Sequence, residues 1–429
     1  MGLTVLIVGG GGREHALAWK IAQSPQVDKM YCAPGNAGIA EIAECVSIDP
    51  ADIAALKNFA VNKRVDLTIV GPELPLSMGI VDSFEREGLP VFGASQKAAL
   101  LESSKIFAKE LMQEHGLPTA SFARFTDPAK AKAYILSNNR PLVIKADGLA
   151  AGKGVFPAQT AAEAAAAIDR IMLQHEFGAA GDIVVVEEFL TGEEASFICF
   201  TDGVTIVPMP SSQDHKRVFD GDEGPNTGGM GAYSPAPVIT PELQDRIMKS
   251  IMYPLIHALN KRGILFKGAL YAGLMIENGV PRVLEFNARF GDPETQPLIF
   301  RLTTDLIDIM QAVITGRLSD ISISWDPRPS VCVVMAAGGY PGSYAKSLPI
   351  HGLAEAARVP EAFVFHAGTS LINGRVVSSG GRVLGVTARG NTIAEAITTA
   401  YTAVDKIHWD GVHFRRDIAQ RAVNRGKFL

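Results

Sequence analysis

The first hundred residues alternate short apolar runs with segments that look helical. Four apolar runs, typical of buried strands, occupy residues 3–8, 29–33, 67–70 and 91–93. The predicted helices between them include residues 13–20 and 52–62. This βαβαβαβ order predicts a doubly wound parallel sheet, in which ligands bind at the carboxyl ends of the strands.

After residue 100 the pattern changes. A helix is predicted from Lys105 to Met112, with Ser103 or Ser104 as its N-cap. Further helices are predicted at 161–172, 241–260, 304–314 and 392–406. Strands are predicted at 142–144, 183–186, 268–276, 282–286, 331–336 and 383–388, with two more within 195–210. Residues 211–232 show almost no apolar core pattern and are predicted to form a long irregular loop, which is functional rather than disordered.

Size and composition limit the classes of protein. A chain of 429 residues suggests roughly three domains, and 47% apolar with 20% charged residues is typical of globular proteins. A net charge of −5 argues against a nucleic-acid partner. The four cysteines are widely spaced, which is typical of reduced thiols in a cytosolic protein. The N-terminus has no basic region before its apolar run, and that run is too short to span a bilayer. We expect a cytoplasmic protein with no membrane partner.

The stretch from Leu142 to Gly154, LVIKADGLAAGKG, combines an apolar strand ending in Lys145 with a glycine-rich loop carrying Lys153. Lysines supply charge, and glycines let backbone N–H groups approach phosphate oxygens. The spacing does not fit a Walker P-loop, because Gly154 stands where the magnesium-binding hydroxyl is needed. The stretch indicates either a polyphosphate site or a surface turn with two solvated lysines.

The glycines at 9–12 raise the possibility of a dinucleotide fold. The fingerprint fails, because Glu14 or His15 stands in its third glycine position. The second strand also ends in Ala33-Pro34-Gly35, without a carboxylate for a ribose. A helix N-terminus preceded by glycines still favours an anion. The pattern therefore favours a phosphate-bearing substrate over a dinucleotide.

Two further segments carry candidate ligand groups. Glu285 and Asn287 are two residues apart at a strand end, so their side chains share one face and are suited to hold Mg²⁺. Arg289 would share that face if the strand continued, and would then pair with a phosphate or carboxylate. Residues 187–190 suit an adenine slot, and Glu194 suits the ribose hydroxyls. The alternatives are a solvated strand end and an ordinary acidic loop.

These motifs together resemble the ATP-grasp ligases, and among them the phosphoribosylamine–glycine ligase (glycinamide ribonucleotide synthetase) family. The resemblance covers essentially the whole chain. It is carried by GGGGREHAL, APGNAG, IVGPE, IKADGLAAGKGV, VEEFLTGEEASF, SSQDHKR, GPNTGGMGAYSP, EFNARFGDPETQ and MAAGGYPG.

The resemblance implies a multidomain α/β fold of four parts. These are an N-terminal substrate domain (1–122), a lid (123–193), a central ATP-grasp domain (194–327) and a C-terminal α+β domain (328–429). It implies ATP-dependent ligation of glycine to 5-phosphoribosylamine in purine biosynthesis, through glycyl phosphate. It implies ATP and Mg²⁺ (or Mn²⁺) as cofactors, and we expect a monomer.

The resemblance also implies roles for individual residues. ATP would be bound by Lys105, Lys145, Gly152, Lys153, Glu187, Glu188, Phe189, Leu190 and Glu194. The metal would be bound by Glu285 and Asn287. Catalytic roles would fall to Arg289, Asp214 and Asp292. The substrates would be bound by Gly10, Gly11, Asn36, Gly38, Lys216, Asn226, Thr227, Gly291 and Glu294. Lys153 lies on a loop that we expect to move, so its contact would form only with the lid closed.

Two other functions remain open at this point. One is another ATP-grasp ligase or a carboxylase that activates bicarbonate, which would share the ATP residues and differ at 214–217 and 224–231. The other is a non-catalytic nucleotide-binding regulator. A regulator is expected to have lost a lysine or Glu285, and this chain keeps them.

Overall fold

The computed structural model describes residues 2–138, 140–149 and 154–426. Its N-terminal strands are β1 (Leu3–Gly9), β2 (Val27–Pro34), β3 (Glu44–Cys45), β4 (Leu67–Val70) and β5 (Val91–Phe92). The helices are α1 (Gly12–Ile21), α2 (Ile53–Lys63), α3 (Glu73–Ser77), α4 (Ile80–Glu85), α5 (Leu100–Ser103) and α6 (Lys105–Glu114). The strands form a parallel sheet in the order β3-β2-β1-β4-β5. The predicted doubly wound sheet is confirmed.

The next segment forms a small layer of its own. Its elements are β6 (Phe122–Phe125), α7 (Pro128–Asn138), β7 (Leu142–Ala146), β8 (Val155–Ala158), α8 (Ala161–Ile168) and β9 (Val184–Glu188). The strands form an antiparallel sheet in the order β6-β9-β7-β8. The predicted helix at 161–172 ends in a π turn at Asp169–Leu173. One face of this sheet packs with α7 and α8 into a separate apolar cluster.

The central strands are β10 (Glu193–Thr201), β11 (Ile206–Pro208), β12 (Gln213–Asp214), β13 (Arg217–Phe219), β14 (Glu223–Asn226), β15 (Gly231–Ser234), β16 (Gly268–Glu277) and β17 (Val280–Asn287). The helices are α9 (Pro241–Ile247), α10 (Tyr253–Lys261), α11 (Thr295–Ile299) and α12 (Leu306–Thr315). A π turn at Met248–Met252 joins α9 to α10. The antiparallel order β11-β10-β16-β17 places the end of β17 at a sheet edge.

The C-terminal elements are β18 (Ser330–Ala336), α13 (Leu353–Ala356), β19 (Ala362–His366), β20 (Thr369–Ile372), β21 (Arg375–Ser378), β22 (Arg382–Arg389), α14 (Ile393–Val404) and α15 (Gln420–Gly426). Strands β18, β22 and β19 continue a sheet that begins with β12 and β15. The prediction of an irregular loop at 211–232 was therefore wrong. Strand β15 pairs with β12 and with β18, about 100 residues later, so no local apolar pattern reveals these strands. Strands β13 and β14 form a separate, mostly exposed hairpin.

The main hydrophobic core runs from the N-terminal sheet through the central domain to the C-terminal sheet. Continuous apolar runs form the interior strands, and Val5 to Val8 are all fully buried, with alternate side chains in this core and in a second apolar cluster. Helix ends follow ordinary capping chemistry: the Asp305 carboxylate caps α12, and Gly316 ends it in the left-handed conformation. Within the described ranges, the helices are all too short or too polar to cross a membrane.

Candidate active site

Helix α6 places Lys105 and Lys109 on one face, about one turn apart. Ser104 caps the helix by accepting from the Phe107 N–H at 3.1 Å, which decides between the two predicted caps. Lys105 Nζ donates to the Gly148 carbonyl at 2.9 Å, at the start of the glycine-rich loop. Burial, aided by the nearby Lys145, lowers the pKa of Lys105. The predicted Lys105 therefore lies beside the predicted loop.

Lys145 and Glu187 face each other from neighbouring strands β7 and β9. Lys145 Nζ lies 2.9 Å from Glu187 Oε2 and also donates to the Leu284 carbonyl at 3.3 Å. Lys109, which sequence reasoning missed, lies 2.9 Å from the same carboxylate oxygen. Its only sequence signal is its position four residues after Lys105. The structure thus joins Lys145 and Glu187 into a buried cluster.

The predicted adenosine segment is split by strand alternation. Glu187 points inward, whereas the Glu188 carboxylate points outward and accepts from the Ser121 N–H at 3.2 Å. The Glu188 N–H donates to the Ser121 carbonyl at 2.9 Å, so it is already bonded. Leu190 is buried and Phe189 is half-buried.

Several carboxylates lie around Lys216, and we call the region that they share with Lys105, Lys145 and Glu285 the cleft. Lys216 Nζ is 2.9 Å from Glu194 Oε2, so the predicted ribose ligand carries an ion pair here. Burial raises the pKa of Asp214 to about 7, against the opposing influence of Lys216. The nearby carboxylates of Glu294 and Glu194 raise it further. Asp214 is therefore suited to take up or release a proton near neutral pH.

Glu285 and Asn287 lie at the end of β17, opposite Gly273 and Tyr271 of β16. Burial alone would raise the pKa of Glu285, but nearby cations outweigh it and the pKa lies below its usual value. These cations are Lys216, Lys145, Lys105 and Arg289. The part of the chain that is described contains no cluster of three or more His, Cys, Asp or Glu side chains suited to a metal. Two oxygen-bearing residues in a cationic setting fit a metal that arrives with phosphates.

Arg289 is bound to the N-terminal domain. Its guanidinium lies 2.8 Å from Glu102 Oε1 and 3.4 Å from Glu73 Oε2, and donates to Asn287 Oδ1 at 3.4 Å. Glu102 also accepts from the Ala288 N–H at 2.8 Å. Neither glutamate was predicted, because each comes from a helix that gives no local sign of facing the site. Arg289 thus anchors the end of β17 to the N-terminal domain.

Asp292 is held by a residue of the C-terminal domain. Arg382 Nη1 donates to the Asp292 carbonyl at 2.8 Å and lies 3.4 Å from its carboxylate. The same nitrogen donates to the Gly228 carbonyl. Burial acts to raise the pKa of Asp292, but Arg382 and Arg13 lower it below its usual value. The C-terminal domain therefore supplies a side chain to this site.

The N-terminal glycine loop, which contains Gly10 and Gly11, lies close to Asp292. A Cβ added at Gly11 would lie 2.9 Å from Glu14 Oε2 and 3.5 Å from Asp292 Oδ2. A Cβ at Gly10 would lie 2.4 Å from the Gly35 carbonyl oxygen. The Gly11 N–H donates to Glu14 at 2.6 Å, so this amide is not free for an anion. Close approach explains why glycines occupy the loop.

Asn36 holds the N-terminal glycine loop in place and is itself held by the backbone of Gly38. Asn36 Nδ2 donates to the Gly10 carbonyl at 2.9 Å and to the His366 carbonyl at 2.8 Å. Its Oδ1 accepts from the Gly38 N–H at 3.0 Å and the Ile39 N–H at 2.9 Å. The amide side chain is fully bonded within the protein, so the structure gives Asn36 a positioning role. Its predicted direct contact with a substrate remains a prediction.

The remaining predicted substrate residues lie in two turns. Thr227 donates through both its N–H and its hydroxyl to the Lys216 carbonyl, at 2.7 and 2.8 Å, and Asn226 pairs with Arg217 in the β13–β14 hairpin. Glu294 is buried and accepts from the Ser196 hydroxyl at 2.9 Å. A Cβ at Gly291 would lie 2.6 Å from Glu294 Oε2. Gly152 and Lys153 lie outside the described residues.

Three family models together span most of the chain. The phosphoribosylglycinamide synthetase N domain matches residues 3–102, the ATP-grasp (A) domain residues 103–295, and the C domain residues 330–421. The phosphoribosylamine–glycine ligase of Vibrio cholerae is 54% identical over 99% of both chains. The chain belongs to the phosphoribosylglycinamide synthetase family. A second member, from Pseudomonas aeruginosa, is 53% identical over 99% of both chains.

Solved structures agree with this family. The phosphoribosylamine–glycine ligase of Thermotoga maritima is 31% identical with a TM-score of 0.83, covering 97% of this chain and 100% of that one. The biotin carboxylase of Campylobacter jejuni has a TM-score of 0.75 at 15% identity, covering 96% and 93% of the two chains. That likeness concerns the fold alone. The predicted ATP-grasp fold and the predicted family are both confirmed.

Proposed function

We propose that this protein ligates glycine to 5-phosphoribosylamine at the expense of ATP, giving glycinamide ribonucleotide, ADP and phosphate. The observation that carries the proposal is the 54% identity to a named ligase along 99% of both chains. ATP would phosphorylate the glycine carboxylate, which is a poor acylating agent, to glycyl phosphate. The amine nitrogen would then attack the acyl carbon and phosphate would leave. The enzyme would act in the cytoplasm, as a monomer.

The cationic part of the cleft supports phosphoryl transfer. Lys105 and Lys145 converge on the region of Glu285 from α6 and β7. Transfer of a phosphoryl group depends mostly on positioning and charge neutralisation, which fixed ammonium groups provide. Glu285 and Asn287 would hold Mg²⁺ or Mn²⁺ together with the nucleotide phosphates. The metal would neutralise phosphate charge, as it does in other phosphoryl-transfer enzymes.

The nucleoside would lie between the lid sheet and the central sheet. Glu187 presents an unbonded carboxylate oxygen, Oε1, among the described residues, and this oxygen suits an amino group on the base. The backbone of Phe189 and Leu190 would meet the base edge, since the Glu188 N–H is already bonded. Glu194 would accept from the ribose hydroxyls after exchanging its contact with Lys216.

The opposite side of the cleft supports the acyl transfer. Asp214, whose pKa burial raises to about 7, is our candidate for accepting the proton that the attacking amine loses. Arg289 and Asp292 would orient glycine and the amine. Gly10, Gly11 and the loop held by Asn36 would enclose the phosphoribosyl group. The lid would exclude water, because an acyl phosphate otherwise hydrolyses.

A coupled ADP-release assay that omits one substrate at a time tests the proposal. We expect turnover only when ATP, glycine and 5-phosphoribosylamine are all present, with glycinamide ribonucleotide identified by mass spectrometry. Bicarbonate should change nothing. ADP release with bicarbonate in place of both substrates would instead identify a carboxylase, and nucleotide binding without turnover would identify a regulator.

A further inference from the structure

Lys109 is a buried lysine for which the proposed reaction has no role. The residue is 2% exposed, and its ammonium group reaches the nucleotide side of the cleft from α6. Nζ donates to the Thr119 hydroxyl at 2.8 Å, and that hydroxyl donates to the Val283 carbonyl at 2.7 Å. This chain of hydrogen bonds fixes the ammonium group against β17.

Lys109 and Lys145 share a single carboxylate oxygen. Each Nζ lies 2.9 Å from Glu187 Oε2, although Glu187 carries only one negative charge. One lysine would be enough to neutralise it. Lysines are almost never fully buried unless they are paired, so the second lysine requires a physical reason.

Phosphate binding supplies that reason. When Lys145 turns towards a nucleotide phosphate, it weakens its contact with Glu187. A buried carboxylate left without a counterion is strongly destabilising, and this cost would be subtracted from the affinity for the nucleotide. Lys109 remains on Oε2 throughout, because Thr119 holds it there. Glu187 then keeps a counterion, and Lys145 is free to bind the phosphate.

We propose that Lys109 is a positioning residue of the nucleotide site, which acts as the permanent counterion of Glu187 and so releases Lys145 for the nucleotide phosphates. The inference rests on the proposed function for the identity of the nucleotide. Lys109 itself need not touch the ligand. Its effect passes through Glu187, and this makes the inference separable from a general loss of positive charge.

The electrostatics around Lys109 agree with a fixed cation whose burial disfavours its charge. Burial lowers the pKa of Lys109 to about 8, aided by the positive charge of Lys145, while Glu187 opposes the shift. The ammonium form therefore persists at neutral pH mainly because of Glu187. Removing the carboxylate should accordingly remove the need for Lys109.

A double-mutant cycle between Lys109 and Glu187 tests this dependence. The affinity of the full-length protein for Mg·ADP is measured by titration calorimetry in wild type, K109M, E187Q and the double variant. We expect K109M to weaken binding about tenfold in the wild-type background and less than about threefold in the E187Q background. K109R, which keeps the cation, should bind more tightly than K109M. Lys20→Met removes another buried lysine, outside the cleft, and should leave the affinity unchanged.

Equal losses from K109M in both backgrounds would overturn the proposal, as would wild-type affinity in K109M. If K109M does not fold, K109Q replaces it, with the same tenfold loss expected. Unfolding midpoints of all variants separate a folding defect from a binding defect. Turnover of the wild-type enzyme is measured separately, so failure of the ligase assignment would leave the ADP-binding cycle interpretable.

Discussion

Glu285 offers a sharp test of the metal assignment. Its carboxylate lies at the end of β17, with Asn287 on the same face and four cations close enough to hold its pKa below the usual value against burial. Glu285→Ala removes the one charged oxygen ligand of the proposed pair and leaves Asn287. Because Mg²⁺ prefers several oxygen ligands, the remaining amide is a poor substitute.

The size of the effect follows from the chemistry of the site. Removing one preorganised group that stabilises charge in the transition state typically costs about 2.7–4 kcal/mol, or a 10²–10³-fold loss of kcat. The fold should persist, since Glu285 forms no part of the main hydrophobic core. We expect a change in unfolding free energy of about 1–2 kcal/mol, which lowers the unfolding midpoint by several degrees.

Steady-state turnover is measured over a range of Mg²⁺ concentrations, together with thermal unfolding. Raising Mg²⁺ should recover part of the lost activity if the carboxylate binds the metal. Glu277→Ala, at the exposed end of the neighbouring strand β16, serves as the matched control and should keep wild-type kinetics. Wild-type rates in Glu285→Ala at ordinary Mg²⁺ would refute the metal assignment.

Three other variants probe separate parts of the structure. Arg382→Met should lower kcat/KM for the amine substrate about tenfold, because hydrogen bonds to charged groups contribute about 1.5–3 kcal/mol. The affinity for Mg·ADP should stay unchanged, and an equal loss of that affinity would contradict this prediction. Burial raises the folded-state pKa of Asp214 from 3.8 to about 7. The protonated carboxyl therefore contributes fully to the free energy of unfolding below about pH 3.8, and this contribution is lost as pH rises through about 7. The unfolding midpoint of Asp214→Asn, measured relative to wild type, should therefore rise as pH increases from 4 to 8. A difference that stays constant over this range would refute a buried, protonated carboxyl at Asp214. Gly38→Ala should cost about 1–3 kcal/mol in a denaturant titration, because its Cβ would lie 2.4 Å from His15 Cε1, and unchanged stability would disprove this packing.

The sequence placed candidate side chains correctly on the fold where they lie near the end of a regular element. Lys145 lies next to the last residue of a strand that its apolar residues predict, and Glu285 and Asn287 lie at the end of another. Strand alternation fixes which side chains share a face, so the carboxylate–amide pair required no knowledge of distant contacts. The doubly wound N-terminal sheet was predicted for a similar reason, since each of its four predicted strands contains a continuous, apolar and buried stretch.

Tertiary structure alone decided the partners of these residues. Lys109 reaches Glu187 across 78 positions of the chain, and Arg382 reaches Asp292 across 90. Local periodicity does not report such contacts, because it describes only neighbours along one helix or strand. The segment 211–232 was misread for a related reason: β12 pairs with β15, and β15 also pairs with the remote strand β18.

The sequence by itself therefore determined the chemical groups, the elements that carry most of them, and the family. Folding decided which of those groups are free and which are already bonded. The Asn36 side chain is fully bonded to the backbone of its own loop and of the segment at His366. Among the residues that the structure describes, Glu187 instead keeps one oxygen without a hydrogen-bond partner, beside two lysines. That distinction depends on burial and on distances between remote segments, and neither quantity exists until the chain is packed.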